Sequence, residues 1–457
     1  MVPGHPRSRE EAWDMTNDLT ADTTCDVLIA GGGVAALCAA ISAREAGASV
    51  MMVEKASIDM RGGNTRHSRN LRVAHDGATV LSPGTYGAEE YASDLSRAAG
   101  GKGDETLIRA LARGSETITD WLSARGVVFE AFGRGRIPWS RKTAFLLGGG
   151  KTMLNALYAA AECRGVTIRY GATVSDLTGD GAARIVRGAA FETVTAKAVV
   201  ACSGGYQANS DWLRRERGAA TGGLVNRGTP FAEGEVLQSL LNLGARSTGV
   251  AGACHMVAVD ARSPRHDGGI VTRVKDIPLG MVVDRAGRRF HDERADPGPH
   301  HYATWGNLIA ERPDQRATLI LDDAAMRARA RAPTPFPAWR ADTIEELAAV
   351  LQVEPGVLKH SAQEFGRLGS PPYWAQPLCP GVSFTCHGVG VDARARVILR
   401  DGRPSDHLFA AGMIMAAGVL GTGYLSGVGI TIGAVFGRIA GEGAARHAHS
   451  RAPGTLR

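Results

Sequence analysis

The feature that most constrains this fold lies near the N-terminus, where a short apolar segment leads directly into a glycine-rich turn. Val27–Ala30 is typical of a buried parallel strand, and Gly31-x-Gly33-x-x-Ala36 follows it, before an alanine-rich stretch with the composition of a helix. Glu54 ends the next apolar segment, 21 residues after Gly33. This order of strand, turn, helix, strand and acid predicts a dinucleotide site. Backbone N–H groups at the helix N-terminus would bind the pyrophosphate, and the carboxylate would bind ribose hydroxyls.

Chain length and a change in composition divide the molecule into parts. At 457 residues the chain is too long for one simple core. The stretch 215–375 carries most of the Pro and many Arg, so we predict an inserted domain there. The nucleotide-binding domain would then be split between 23–214 and 376–448. We expect 1–22 to be a disordered leader and 449–457 a tail.

Hydrophobic periodicity places the main elements between these boundaries. Besides the first strand, strands are predicted at Val50–Val53, Val166–Tyr170, Ala198–Cys202, Ala317–Leu321 and Leu408–Ala411. Helices are predicted at Val34–Ala46, Asp104–Arg125, Lys151–Arg164 and Val428–His447. The alternation of the two element types at the start of the chain indicates an α/β fold with a parallel sheet.

Charge and cysteine content narrow the function classes. The net charge is +6, but the basic residues are scattered, so we favour an anionic cofactor or substrate over nucleic acid. The seven Cys include no C-x-x-C pair, which argues against a disulfide framework, a zinc site or an iron–sulfur site and predicts a cytoplasmic, reducing location. Residues 1–22 lack the apolar core of a signal peptide, and no uncharged apolar run approaches 18 residues, so no membrane span is expected.

A second motif runs from Gly62 to Arg72. Its first residues, Gly62-Gly63-Asn64-Thr65, are small or hydrogen-bonding and would let the backbone pass close to a flat ring system. Four cationic or titratable side chains follow: Arg66, His67, Arg69 and Arg72. On a strand, His67 and Arg69 would share one side and Arg66 and Asn70 the other. Because guanidinium groups bind carboxylates in a bidentate manner, we favour an anion-binding role over a solvated basic loop.

A third motif, near the C-terminus, combines Ala410-Ala411-Gly412, the glycine-rich run Leu420–Gly429 and a helix. Gly429, Gly433, Gly437 and Gly441 recur every four residues and share one helix face. Each costs about 1 kcal/mol of helix propensity relative to Ala, so another element must pack very close to that face. The N-terminus of this helix could also place its positive end against an electron-rich ring.

Two further regions carry candidate catalytic groups. His255 is a lone histidine, which is more often structural than catalytic. The run Arg288–Arg294 follows Asp284-Arg285-Ala286-Gly287, which predicts a hairpin turn. Charge runs are usually solvated, yet Phe290 indicates burial that could bring Glu293 or Arg294 into a cleft. The sequence favours neither of these two interpretations over the other.

Together the motifs resemble the flavoprotein family of fumarate reductases and succinate dehydrogenases, over about 24–447. The marks are the first glycine turn with Glu54, Gly62–Thr65, Ala201–Tyr206, Gly287–Phe290 with Glu293, and Ala411-Gly412 before the last helix. Within the family, Thr65–Arg72 and Val419–Tyr424 are similar to the tricarballylate dehydrogenase branch. The resemblance implies FAD in a split Rossmann-like domain of the GR2 type, an inserted α+β capping domain, and a carboxylic acid that gains or loses two hydrogens across a C–C bond.

The resemblance also implies site residues. The cofactor-binding set is Gly31, Gly33, Val34, Ala35, Glu54, Lys55, Gly62, Gly63, Asn64, Thr65, Arg66, Ser203, Gly204, Gly412, Gly427 and Val428. The catalytic set is Arg294, Glu293, His255, Arg69, Arg72 and Tyr424. Arg69 and Arg72 would clamp carboxylates, and the base stays open among Arg294, Glu293 and His255.

Several positions depart from the family pattern. Asn64 stands where members with covalent flavin have His, so we expect non-covalent FAD. Phe384 replaces a substrate-binding His, Val419 a substrate-binding Arg and Met413 a flavin-contacting acid, whereas His255 matches a second substrate His. These departures weaken the case for ordinary tricarballylate oxidation but not the case for bound FAD.

The resulting expectation is an FAD-dependent dehydrogenase that oxidises a C–C bond next to a carboxylate in a tricarballylate-like di- or tricarboxylic acid. The alternatives are a desaturase or reductase of a different acid in a biosynthetic pathway, or an FAD electron-carrier subunit. Electrons would pass to a separate acceptor, which could be an iron–sulfur or haem membrane protein, a quinone or O₂. No metal-ligand pattern is visible in the sequence.

Overall fold

The structure, a computed structural model, describes residues 23–133, 137, 139–218, 221–295, 301–329 and 335–450. The predicted leader 1–22 and the last seven residues of the predicted tail, 451–457, lie outside this range. Within it, no helix combines the length and the apolar character needed to cross a bilayer.

Strands and helices alternate along much of the described chain. The strands are β1 (Thr23–Ala30), β2 (Val50–Glu54), β3 (Asn70–Arg72), β4 (Thr143–Phe145), β5 (Thr167–Tyr170), β6 (Thr173–Leu177), β7 (Ala182–Arg187), β8 (Ala190–Ala201), β9 (Val225–Asn226), β10 (Ser247–Asp260), β11 (Met281–Val283), β12 (Ala317–Leu321), β13 (Trp339–Ala341), β14 (Tyr373–Val389), β15 (Arg396–Ile398) and β16 (Pro404–Ala410). The α-helices are α1 (Val34–Glu45), α2 (Ala88–Ala98), α3 (Glu105–Ser115), α4 (Ile118–Ser123), α5 (Gly149–Cys163), α6 (Ser210–Arg217), α7 (Glu235–Asn242), α8 (His301–Ala310), α9 (Asp323–Ala328), α10 (Ile344–Leu351), α11 (Pro355–Phe365), α12 (Ala417–Leu420) and α13 (Val428–Ser450).

The first sheet brings distant parts of the chain to one edge. Its strands lie in the order β15-β16-β8-β1-β2-β5, and the pairs from β16 to β5 are parallel. Ala30 at the end of β1 pairs with Val53 on one side and with Ala201 on the other. The loops that follow these three strands therefore meet at the carboxyl edge of the sheet, where doubly wound folds bind their ligands. The predicted α/β fold with a Rossmann-like parallel sheet is confirmed.

Packing between α1 and α13 explains the glycine face of the last helix. A Cβ atom added at Gly437 would lie 2.5 Å from the carbonyl oxygen of Ala35, and one at Gly441 would lie 2.2 Å from that of Ala39. Both distances are far below van der Waals contact, so the two backbones approach as closely as glycine alone allows. The requirement for a close neighbour, inferred from the sequence, is confirmed, and that neighbour is the helix that follows the first glycine turn.

A second sheet lies over this edge and is mainly antiparallel. Its path is β10-β14-β12-β11, with β9 and β13 also pairing with β14. Its strands span residues 225–389, and the proposed boundary at 375/376 falls within β14. The predicted hairpin turn is confirmed: the Asp284 N–H donates to the Arg288 oxygen at 2.8 Å, and the Gly287 N–H donates to the Asp284 oxygen at 3.0 Å. The division of the chain into domains stays a prediction.

Two predicted elements differ from the structure. The helix predicted over Asp104–Arg125 is divided into α3 and α4. The buried Ser115 hydroxyl donates to the Ala112 carbonyl and accepts from the Ala74 N–H, so it competes with helical bonding at the break. The strand assumed for 66–70 is replaced by a 3₁₀-helix at Gly63–His67, because Gly62 has a φ of +102° and turns the chain before it.

Candidate active site

A large cavity, of about 1010 Å³, lies between the carboxyl edge of the first sheet and the second sheet. Its walls come from the loops after β1, β2 and β8, from the segment after Gly62, from the loop before α13, and from β10 and β14. One end is therefore built from glycine turns and the other from side chains of the second sheet.

The first glycine turn is shaped to expose backbone at the start of α1. Gly31 has a φ of +119°, and a Cβ there would lie 2.5 Å from the Cys202 oxygen, so no other residue fits. Gly33 is the N-cap of α1, and no side chain caps the helix at that residue. The Val34 N–H donates to Thr65 Oγ1 at 3.2 Å. The remaining first-turn N–H groups and the positive end of the helix dipole suit a phosphate.

Glu54 is fixed beside this turn. Its carboxylate accepts the Ala56 N–H at 2.8 Å and the Gly62 N–H at 3.3 Å, and the residue is 5 % exposed. Burial raises the pKa of Glu54 above its ordinary value, and the backbone donors oppose that shift. A group that donates hydrogen bonds to the carboxylate, such as a ribose hydroxyl, would stabilise the charged form.

Two polar atoms in the cavity wall are buried without a partner. Ser203 Oγ and Gln207 Oε1 find no hydrogen bond among the described residues, and both residues line the cavity. Such groups are costly unless a ligand or water satisfies them. Gly412 and Gly427, with φ values of +82° and +81°, line the same wall.

An aromatic wall closes the other end of the cavity. His255 on β10 faces Phe384 on β14 across the antiparallel pair, with ring centroids 5.1 Å apart. Tyr424, from the loop before α13, stacks on His255 at 4.4 Å. Phe384 and Tyr424 also lie near each other, with centroids 5.8 Å apart, so the three rings form one cluster, and His255 lines the cavity as part of it. This geometry raises His255 above the structural role that a lone histidine usually has.

Arg69 and Arg72 of the second motif also line the cavity, but they are not equally available. The Arg72 guanidinium donates to Tyr86 Oη at 2.8 Å and to the Ser426 oxygen at 3.2 Å, and it lies 3.4 Å from Asp94. Arg69 lies over the Phe145 ring, 5.8 Å from its centroid. Because much of the Arg72 guanidinium is already engaged, Arg69 is the better candidate of the two for binding a carboxylate.

Four predicted site residues do not line the cavity. Arg66 donates to the Met60 oxygen, and Val428 is fully buried in the first turn of α13. Glu293, at 1 % exposure, accepts from the Val282 N–H at 2.8 Å and from Arg289 at 2.6 Å. It is buried, as the neighbouring Phe290 indicated, but its carboxylate stabilises the hairpin and does not line the cavity. Arg294 is exposed next to it.

The structure brings the other predicted residues together. The cavity lining contains Gly31, Gly33, Val34, Ala35, Glu54, Lys55, Gly62, Gly63, Asn64, Thr65, Ser203, Gly204, Gly412, Gly427, His255, Arg69, Arg72 and Tyr424. Sequence reasoning missed Gln207, Arg273 and Lys275, which also line it. For Gln207 a signal was present, because it directly follows the Ser203–Tyr206 motif.

Comparison with known proteins now decides the family. The model of the family described as FAD binding domain matches residues 26–430. The chain belongs to this family. It is an FAD-dependent oxidoreductase of the class that acts on carbon–carbon bonds. The cavity fits that cofactor, since it offers a glycine turn at a helix N-terminus, a buried acid beside it and unpartnered polar atoms further along.

Relatives within the family carry out varied reductions and oxidations. A probable fumarate reductase of Shewanella frigidimarina is 25% identical over 97% of this chain and 79% of its own length. A digoxin reductase of Eggerthella lenta is 26% identical over 92% of this chain and 87% of its own. Among solved structures, the open conformation of a flavocytochrome c3 fumarate reductase has a TM-score of 0.76 at 23% identity, covering 93% of this chain and 79% of that one. This last likeness concerns the fold.

Proposed function

We propose that the protein is an FAD-dependent dehydrogenase that oxidises a C–C bond next to a carboxylate in a tricarballylate-like di- or tricarboxylic acid. One observation carries the proposal: the cavity that begins at the first glycine turn also contains His255 and Arg69. A group suited to proton transfer and a group suited to carboxylate binding therefore share one space with the cofactor residues. The similarity to a fumarate reductase supports a carboxylic acid as substrate.

The residues of the cavity have separate roles in the proposed reaction. When bound, FAD supplies the two-electron chemistry by accepting or giving a hydride. The Arg69 guanidinium binds a substrate carboxylate and stabilises charge that develops on it. His255 holds or takes the proton at its imidazole, since it alone of the three candidate bases, among the described residues, lines the cavity. Tyr424 and Phe384 keep that ring in place.

Non-covalent attachment of FAD is part of the proposal. Asn64 Nδ2 donates to the Ser383 oxygen at 2.6 Å, and Asn64 Oδ1 accepts the Thr229 N–H at 2.9 Å. The side chain at this position thus connects the glycine motif to the second sheet. An acid-denatured sample should release free FAD into the supernatant. Flavin that stays with the precipitate would contradict this part.

Anaerobic titration of the flavin band tests the proposed reaction. The purified holoenzyme is mixed with tricarballylate, succinate and glutarate in the absence of O₂, and bleaching of the oxidised flavin is followed. The reverse direction uses chemically reduced enzyme with an unsaturated acid, and recovery of the band is followed. We expect at least one saturated acid to bleach the flavin. If no acid changes the flavin in either direction, the proposed function fails.

A second candidate function is reduction or desaturation of a different, unsaturated or ring-bearing acid. The stacked wall of His255, Phe384 and Tyr424 favours it, because flat apolar groups pack well on aromatic rings. A 4-oxocyclohexanecarboxylate 2-dehydrogenase of Sinomonas cyclohexanicum is 24% identical over 93% of this chain and 94% of its own length. Adding cyclohexanecarboxylate and cinnamate to the same titration separates the two candidates.

We also propose that the reduced flavin is reoxidised by a separate acceptor. A fumarate reductase (cytochrome) of Shewanella frigidimarina, 24% identical over 93% of this chain and 77% of its own length, indicates electron exchange with a haem partner as one route. A quinone or O₂ is the other. Stopped-flow mixing of reduced enzyme with a soluble quinone, with cytochrome c and with air-saturated buffer ranks them. A cytoplasmic location, expected from the cysteine pattern, stays a prediction.

A further inference from the structure

Tyr158, on α5, is a buried residue that neither the motifs nor the proposed roles include. Its side chain is 0 % exposed, and its hydroxyl donates to the Gly32 carbonyl oxygen at 2.8 Å. Gly32 is the variable position of the first glycine turn, between Gly31 and Gly33. Gly32 and Gly33 line the cavity and Tyr158 does not, so the phenol contacts the turn from the side of the protein interior.

This hydrogen bond fixes the plane of the peptide that joins Gly32 to Gly33. The peptide is trans, so its C=O and N–H groups point to opposite sides. Because the carbonyl is held towards α5, the Gly33 N–H points away from α5 and towards the cavity. Among the residues that the structure describes, this N–H donates to no protein acceptor. It is therefore available to an anionic group at the N-terminus of α1.

The contact between the phenol and the turn requires glycine at position 32. A Cβ there would lie 2.0 Å from Glu54 Oε2 and 2.4 Å from Tyr158 Oη. The sequence motif accepts any residue at this position, since it specifies only the glycines on either side. The need for Gly32 in this chain thus comes from two side chains, the acid and the phenol, whose oxygens both approach its Cα.

Arg61 and the packing of α5 hold the Tyr158 ring in place. The Arg61 guanidinium lies 3.9 Å from the ring centroid and also donates to Tyr170 Oη at 2.8 Å. Leu154 lies one turn before Tyr158 on the same face of α5. It packs against the second glycine motif, because a Cβ on Gly62 would lie 2.3 Å from its Cδ1. One face of α5 therefore contacts both glycine motifs.

We propose that Tyr158 is a positioning residue for FAD: by holding the Gly32 carbonyl it presents the Gly33 N–H to the pyrophosphate, and Arg61 supports it by stacking on its ring. The inference concerns cofactor binding and does not depend on which acid the enzyme oxidises. Tyr158 acts through the backbone and lies outside the cavity, so it is not a catalytic residue.

Tyr158→Phe in the full-length protein removes only the hydroxyl and tests the inference. Quenching of FAD fluorescence by apoprotein gives the Kd, and phosphorus NMR of the holoenzyme reports the two phosphates of the bound pyrophosphate. We expect the Kd for FAD to rise about tenfold, as loss of an oriented hydrogen bond does, and at least one phosphorus resonance to move. Tyr170→Phe is the matched control, because that hydroxyl bonds Arg61 and the residue lies outside the cavity. Its Kd and resonances should match those of the parent.

Arg61→Met is a second variant, which removes the cation over the ring and should raise the Kd about twofold to fivefold. Parent-like affinity and unmoved resonances in Tyr158→Phe would overturn the inference. A weaker Kd with unmoved resonances and a loss of stability in urea would also overturn it, since the role would then be structural only. If Tyr158→Phe does not fold, parent-like affinity in Arg61→Met overturns it instead. Failure of the acid titration with the expected result for Tyr158→Phe would remove the proposed reaction and leave this inference standing.

Discussion

Gly33 offers the sharpest test of the cofactor site, because the structure predicts opposite effects of one methyl group on folding and on binding. A Cβ at this position would lie 3.4 Å from Thr65 Oγ1 and 3.6 Å from the Gly62 oxygen, which is ordinary contact. The φ of −77° is also one that alanine adopts. The empty protein should therefore accept Gly33→Ala, whereas a phosphate approaching the helix N-terminus would meet the added methyl group.

The magnitudes follow from the position of Gly33 as an N-cap. Glycine is preferred over alanine there by up to about 1 kcal/mol, and the reduced freedom of the unfolded chain returns about 0.4–1 kcal/mol. The free energy of unfolding of the apoprotein should thus change by less than about 1 kcal/mol. Displacing the phosphate loses at least one hydrogen bond to a charged group, about 1.5–3 kcal/mol. The Kd for FAD should rise roughly tenfold to 150-fold.

Two measurements on apoprotein check these values. Urea unfolding gives the stability, and quenching of FAD fluorescence gives the Kd. Gly31→Ala is the contrasting variant: its φ of +119° and a Cβ 2.5 Å from the Cys202 oxygen should cost stability as well as binding. Gly84→Ala, where a Cβ meets nothing within 4 Å, is the inert control. Parent-like FAD affinity in a stable Gly33→Ala protein would refute the phosphate position.

Two other predictions concern helix packing and the proposed carboxylate clamp, Arg69. Gly441→Ala should lower the free energy of unfolding, measured in urea, by about 1–2 kcal/mol. The added Cβ clashes with the α1 backbone, and this cost exceeds the gain of about 1 kcal/mol in helix propensity. At Gly429 an added Cβ would lie 3.6 Å from the nearest atom, so Gly429→Ala should change the free energy of unfolding by less than about 1 kcal/mol. Arg69→Ala should raise KM about tenfold or more with FAD retained, while Arg66→Ala, outside the cavity, should not.

The sequence was informative wherever local spacing determines geometry. The glycine turn, its helix and Glu54 follow from a single βαβ unit, and the glycine face of the last helix required a close neighbour. The hydrogen-bond partners of individual side chains were harder to predict. Phe290 indicated burial near Glu293, but nothing in the sequence showed that Arg289 and the Val282 N–H would occupy that carboxylate. The residue is therefore buried as expected and yet absent from the cavity wall.

Arg273 and Lys275 illustrate a different limit of prediction from sequence. Their alternation with buried Thr272 and Val274 marks a two-residue period, so a shared face could be read from the sequence. Which space that face meets depends on the pairing of the segment with β10 and on how the second sheet covers the first. Both are long-range arrangements that no local pattern encodes.

Asn64 connects the cofactor end of the cavity to the second sheet, so a ligand bound at one end should affect binding at the other. Asn64 belongs to the glycine motif near the cofactor end, yet its amide donates to the Ser383 oxygen on β14 and accepts the Thr229 N–H from the loop after β9. A Cβ on Gly228 would lie 2.0 Å from Asn64 Oδ1, so that contact has little room to shift. Whatever fixes the glycine motif therefore also fixes the part of β14 beside Phe384, which lines the cavity. Because coupling between two binding sites is reciprocal, FAD and the acid should each bind more tightly in the presence of the other.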